Sequence, residues 1–133
     1  MIKIYYRRGC RSSQRVFFWF EKHHISVHKQ QINQITRAEL ITLLQHSDKG
    51  LKDIVKNPRK VSSEVKEALQ YMNQLSLNKA IDFILSHPYV LPTPIIIDNN
   101  KYFIGYNKNE LRIFLSKEYR YQQRFYCEVS YDS

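Results

Sequence analysis

Tyr6-Arg7-Arg8-Gly9-Cys10-Arg11-Ser12-Ser13-Gln14 joins a short apolar strand to an apolar helix, and the architecture follows from that junction. The strand is Ile2 to Tyr6, in which Ile2, Ile4 and Tyr6 alternate with Lys3 and Tyr5. The helix begins near Ser12 or Ser13 and runs to His23, with Val16, Phe17, Trp19, Phe20 and His23 recurring at helical spacing. A strand that turns through Gly9 directly into a helix leaves the first helical N–H groups unpaired and pointing outward. Cys10 lies at that opening, with Arg7, Arg8, Arg11 and Arg15 close in sequence. The positive helix end and the guanidinium groups favour a thiolate, so the Cys10 pKa should fall below the free value of about 8.5. A Cys-x-x-Cys at this place would mark a thioredoxin-like redox pair. The chain has Cys10-x-x-Ser13, which keeps the attacking sulfur and puts a hydroxyl where its partner would be. An inert, structural Cys10 is the plainer reading of the same thiol.

Downstream, Ile25 to Ile32 alternates as a second strand, so strand, helix and strand form a βαβ unit with parallel strands. Thr36 opens a helix with Glu39 three residues on, a capping box, and its apolar set is Leu40, Leu43 and Leu44. His46 to Gly50 closes that helix, Gly50 being suited to a left-handed cap. Short helices follow at Leu51 to Lys56 and Ser63 to Met72, separated by the Asn57-Pro58 break, and another starts after Ser76 and stops before Pro88. The continuous apolar Ile95-Ile96-Ile97 marks a strand buried on both faces. Asn99-Asn100 makes a tight turn, Lys101 to Ile104 returns as a hairpin strand, and Gly105 ends it. Asn107 with Glu110 caps a last helix through Leu115. The fold class is therefore α/β: a thioredoxin or glutaredoxin-like β-α-β…β-β-α mixed sheet with a helical insertion. One domain spans 1–116, its strand and helix parts at about 1–34 and 90–116 and the insert at about 35–89. A basic, aromatic tail occupies 117–133. Folds of this kind carry a cis-proline before the third strand, and Pro94 is the candidate.

The 133 residues suffice for a single core, and an apolar fraction of 43% argues against wholesale disorder. The longest apolar run, Val16 to Phe20, is far short of the roughly 20 residues a membrane span needs. The N-terminus lacks the pattern of a signal peptide, and the 2 cysteines, Cys10 and Cys127, make no disulfide framework. A cytoplasmic location is expected. A formal charge of +9 favours polyanionic partners, although the basic residues are scattered and a solvated surface explains them equally well. His23, His24 and His28 have no further cluster at ligand spacing, so no metal and no cofactor are expected. In the tail, Tyr119, Tyr121, Phe125, Tyr126 and Tyr131 among Arg120 and Arg124 suit either base stacking or packing on the domain itself.

Gly9-Cys10 after the first strand, Gly50 after the second helix, Pro94-Ile95-Ile96-Ile97-Asp98, Gly105-Tyr106-Asn107 and Glu110 to Leu115 together resemble the Spx family. Spx proteins are transcriptional regulators within the arsenate reductase superfamily, and the likeness runs to about Tyr126. The resemblance implies docking on the C-terminal domain of the RNA polymerase α subunit, with promoter DNA joining in a ternary complex rather than binding alone. A protease adaptor is a further implied partner, and no membrane is. The docking face would be Asp48, Lys49, Gly50, Leu51 and Lys52, where a glycine lets a partner backbone approach closely. Lys56, Arg59 and Lys60 are candidate DNA contacts.

The enzymatic alternative is a monothiol glutaredoxin-like reductase or an arsenate reductase with Cys10 as nucleophile. The resemblance places three oxyanion-binding arginines of the reductases at Lys56, Thr93 and Tyr106 of this chain. Losing a charged donor from such a site costs on the order of 3 kcal/mol, which counts against arsenate reduction. Ser13 removes the resolving thiol of a Cys-x-x-Cys switch. Thr93 replaces an arginine that some members hold before the cis-proline. A non-enzymatic regulator of stress response without the disulfide switch is the expectation.

Overall fold

The computed structural model describes residues 2–98 and 101–115. Strand β1 (Ile2–Tyr6) leads into helix α1 (Arg11–Lys22) and then β2 (Val27–Gln31). Four helices follow: α2 (Arg37–His46), α3 (Leu51–Ile54), α4 (Ser63–Met72) and α5 (Leu77–Ser86). Strands β3 (Ile95–Asp98) and β4 (Lys101–Ile104) precede a 3-10 helix at Glu110–Phe114. The sheet order is β2-β1-β3-β4. β1 runs parallel to β2 and antiparallel to β3, with Ile4 opposite Lys29 on one side and Ile96 on the other. This is the thioredoxin-like mixed sheet expected from the sequence.

The alternation of the strands divides the core into two layers. Tyr5 and Ile95 point into a cluster with Leu40, Leu43, Ile54, Leu69, Met72, Ile81 and Ile84 from the helices between β2 and β3. Ile2, Ile4 and Ile96 point the other way, onto Val16, Trp19 and Phe20 of α1 and onto Leu111 and Phe114. Ile95 and Ile96 are both fully buried, which is why the isoleucine run is unbroken.

The helix caps differ in detail from the sequence reading. Cys10 itself, rather than a serine, is the N-cap of α1. That helix ends where His24 takes a φ of 56°, and the Ile25 N–H donates to Phe20 O, so β2 starts only at Val27. Thr36 and Glu39 form a full capping box on α2. Gly50 does not cap α2: Ser47 does, and Gly50 instead opens α3 with φ 75° and ψ −139°. The segment after Asn107 is a 3-10 rather than an α-helix. The Asn107 side chain accepts from the N–H groups of both Asn109 and Glu110, which tightens the first turn. The Asn99-Asn100 turn and the tail lie outside the described residues.

Candidate functional site

Strand β1 delivers the chain into Gly9, whose φ of 77° only glycine adopts freely, and the turn closes with the Cys10 N–H donating to Arg7 O at 3.1 Å. Cys10 then sits half-buried at the head of α1. Across from it runs the segment before β3, where the Thr93–Pro94 peptide, at the candidate cis-proline, is cis. The Thr93 hydroxyl donates to Cys10 Sγ at 3.4 Å, and Sγ lies 3.6 Å from the Thr93 carbonyl oxygen. Burial pushes the Cys10 thiol up. Hydrogen bonding from the Ser13 and Thr93 hydroxyls and from the N–H groups of Ser13 and Ser12 outweighs it, and the thiol ends below its ordinary value. Ser13 is 1% exposed, so its hydroxyl meets the sulfur from inside the fold.

The arginines close in sequence do not all serve this site. Arg8, Arg11 and Arg15 are exposed. Arg7 is the exception, and its role is not visible from sequence: its guanidinium donates to the carbonyls of Pro88 and Leu91, at 3.1 and 3.2 Å. Lys56 is fastened to the same turn by its backbone N–H, which donates to Val90 O at 2.9 Å. Burial lowers the pKa of both cations, Arg7 depresses Lys56 further, and Cys10 draws each back up. Arg7, Lys56 and Cys10 thus converge on residues 88–93 and feel one another's charge. Tyr106, at the third of the arginine positions, packs against the α1 side of the core.

Of the residues expected at a docking face, Asp48, Lys49 and Gly50 lie in the loop between α2 and α3, and Leu51 and Lys52 begin α3. Asp48, Lys49 and Lys52 are exposed, whereas Gly50 and Leu51 are half-buried, Leu51 against the insert core. A Cβ built on Gly50 meets nothing within 4 Å, so its backbone angle, not crowding, calls for glycine. Asp53 holds the loop and was missed in the sequence. Its Oδ2 accepts from the N–H groups of Asp48 and Lys49 at 3.1 and 2.8 Å, and its own N–H donates to Gly50 O. Arg59 and Lys60 stand exposed on a 3-10 turn at Pro58–Lys60. Among the described residues no group of His, Cys, Asp or Glu could hold a metal ion, and no helix is long and apolar enough to cross a membrane. Cys127 lies outside the described residues.

The model for the ArsC family matches residues 5–114 of this chain. A protein described as global transcriptional regulator Spx, from Streptococcus pyogenes serotype M3, is 30% identical over 125 residues, spanning 92% of this chain and 91% of that one. A protein of the same description from Streptococcus mutans serotype c is 29% identical over 125 residues, spanning 92% and 89%. Among solved structures, arsenate reductase from Vibrio cholerae superposes with a TM-score of 0.71 at 19% identity, over 86% of this chain and 97% of that one. That last likeness speaks to the fold alone. A cysteine at a helix head beside a cis-proline, the family match through both halves of the sheet and the near full-length relatives agree: the chain belongs to the ArsC family.

Proposed function

We propose that this chain is a cytoplasmic transcriptional regulator of the Spx kind, which acts by docking on the C-terminal domain of the RNA polymerase α subunit. The observation that carries the reading is the identity to Spx across nearly the whole chain, and the chemistry around Cys10 agrees with it. Where an oxyanion reductase needs a cationic fork, the residue touching the sulfur is Thr93, a neutral hydroxyl. The segment from Asp48 to Lys52, loop and first turn of α3, is the docking patch, presented on the backbone held by Asp53. Lys56, Arg59 and Lys60 supply a salt-sensitive contact to promoter DNA within the ternary assembly. With Ser13 in place of a second thiol, no disulfide forms across this turn.

The test is a pull-down with the isolated α C-terminal domain. Wild type should be retained and Gly50→Arg lost, since a long cation would project from an uncrowded position into the partner. Cys10→Ser should be retained like wild type. Equal retention of wild type and Gly50→Arg, or none of either, would sink the reading. The lowered Cys10 pKa supports a second reading, a thiol-dependent reductase. Under that reading Cys10→Ser abolishes turnover and Gly50→Arg leaves it intact.

A further inference from the structure

The outer face of α1 carries residues that the fold does not use. Val16, Trp19 and Phe20 turn one side of this helix onto the sheet. Arg11, Arg15, Phe18 and Lys22 recur at i, i+4, i+7 and i+11, which places them in one stripe on the opposite side, and all four are exposed. Arg8, in the turn before the helix, is exposed as well. Two features of the stripe work against stability. Cations near a helix N-terminus oppose its dipole, and α1 has no acidic residue in its first turn, whereas α2 and α4 place Glu39 and Glu64 there. None of Arg8, Arg11, Arg15 and Lys22 is in an ion pair with a described residue, and Glu21, on the flank, is the single carboxylate of the helix. Phe18, at 67%, is the most exposed large apolar side chain among the described residues. Its neighbour Phe17 packs edge-on against Tyr6, ring centroids 5.3 Å apart, while Phe18 stands between the cations. A surface that breaks two local preferences at once is where function outweighs folding.

We propose that the outer face of α1 binds single-stranded nucleic acid, with Arg11, Arg15 and Lys22 following the phosphates and Phe18 stacking under an unpaired base. From Arg11 to Lys22 the stripe runs for about 16 Å at 1.5 Å per residue. A row of cations tracks a phosphate backbone, and an aromatic ring among them accepts any base, since every base has a π-face. A lipid surface would need a broad apolar face, and here one ring stands among charges. An acidic protein would pair with the same arginines but gives the flat, solvent-standing ring no matching face. The stripe lies across the sheet from the insert that carries Lys56, Arg59 and Lys60, so it is a second surface, separate from the promoter contact proposed above. Binding of this kind needs no polymerase, so its failure and the failure of α-subunit docking are read separately.

The test is the fluorescence anisotropy of a labelled oligodeoxythymidylate titrated with the full-length protein across a salt series. Arg11→Gln/Arg15→Gln should weaken binding about tenfold near 0.1 M salt and reduce the slope of log affinity against log salt by about 1.4. Lys66→Gln/Lys79→Gln, which removes the same charge from exposed positions of the insert, should leave the affinity within about twofold of wild type. Phe18→Ala should weaken single-strand binding about tenfold with the salt slope unchanged. Phe18→Trp should restore the affinity and Phe18→Leu should not, because stacking needs a ring. Binding of a duplex should be insensitive to Phe18→Ala, since paired bases offer the ring no face. All these side chains are exposed, and thermal unfolding should show no variant less stable than wild type. Absence of binding, an equal loss in the two double variants, or a Phe18→Leu protein that binds like wild type would overturn the proposal. So would polyglutamate that competes as well as the oligonucleotide, which would assign the face to an acidic protein instead.

Discussion

Replacing Glu39 by Gln tests how the sheet is fastened to the helical insert. The Glu39 carboxylate is paired with Lys3 Nζ and accepts from Tyr5 OH at 2.6 Å, Gln30 Nε2 at 3.1 Å and the Thr36 N–H at 3.0 Å. It thus links β1, β2 and the cap of α2 through one side chain that is 19% exposed. Burial pushes its pKa up, but the hydrogen bonds from Lys3, Tyr5, Gln30 and Thr36 prevail and hold it at about 2 instead of 4.5. That difference corresponds to roughly 3 kcal/mol of stability. The folded-state pKa is depressed, so this contribution is complete above pH 4.5 and is lost as pH falls from 4.5 toward 2. Glu39→Gln should therefore cost about 2–3 kcal/mol at neutral pH, a large part of a total on the order of 5–15 kcal/mol. Urea unfolding at neutral pH should show the midpoint lowered by about 1–2 M for a slope on the order of 1–3 kcal/mol per molar. Repeated near pH 3, the gap between the two proteins should shrink. A gap that is absent at neutral pH, or that does not narrow on acidification, would refute the reasoning.

Other consequences are open to direct measurement. Gly50→Ala should destabilise the chain by about 1–3 kcal/mol in denaturant titration, because φ of 75° with ψ of −139° is costly for a side chain although the space is empty. An unchanged midpoint would show that the loop relaxes freely. Thr93→Val removes the hydroxyl that donates to Cys10 Sγ, so the thiol pKa should rise, moving the pH–rate profile of alkylation toward higher pH. Asp53→Ala frees the N–H groups of Asp48 and Lys49 at a net cost of about 0.5–1.5 kcal/mol for each bond. Amide exchange at both positions should accelerate, and retention on the α C-terminal domain should weaken. Unchanged exchange would remove Asp53 from the account.

Much of the fold could be read from the chain because its local signals agree with its burial. The Ile95-Ile96 pair lies against both core layers, and a continuous apolar run is the signature of such a strand. Thr36 and Glu39 carry their capping box in four letters. Gly50 was harder, since a glycine near a helix end looks alike whether it closes one helix or opens the next; only the dihedral angles distinguish them. Cys10 could be placed at a helix head, but not the contacts that set its chemistry. Arg7 bonds to carbonyls more than 80 positions away, and Thr93 reaches the sulfur across a similar separation. Glu39 was missed as an organising residue for the same reason, its partners Lys3 and Tyr5 lying 36 and 34 positions away, whereas the partners of Asp53 are only 4 and 5 positions back and follow from the loop's backbone path. A carboxylate's backbone and cross-strand partners depend on the tertiary arrangement, not on spacing within its own helix.

The pairing of β1 on both sides also orders events during synthesis. Residues 2–6 leave the ribosome early and can join Val27–Gln31 soon afterwards, as a local unit. Their other edge stays open until residues 95–97 have emerged, some 90 positions later. Throughout that interval a nascent chain displays an unpaired apolar strand border, the feature that invites wrong pairing with a neighbour. Slow translation across the insert would prolong that exposure, so the yield of native protein should be more sensitive to elongation speed there than after Asp98.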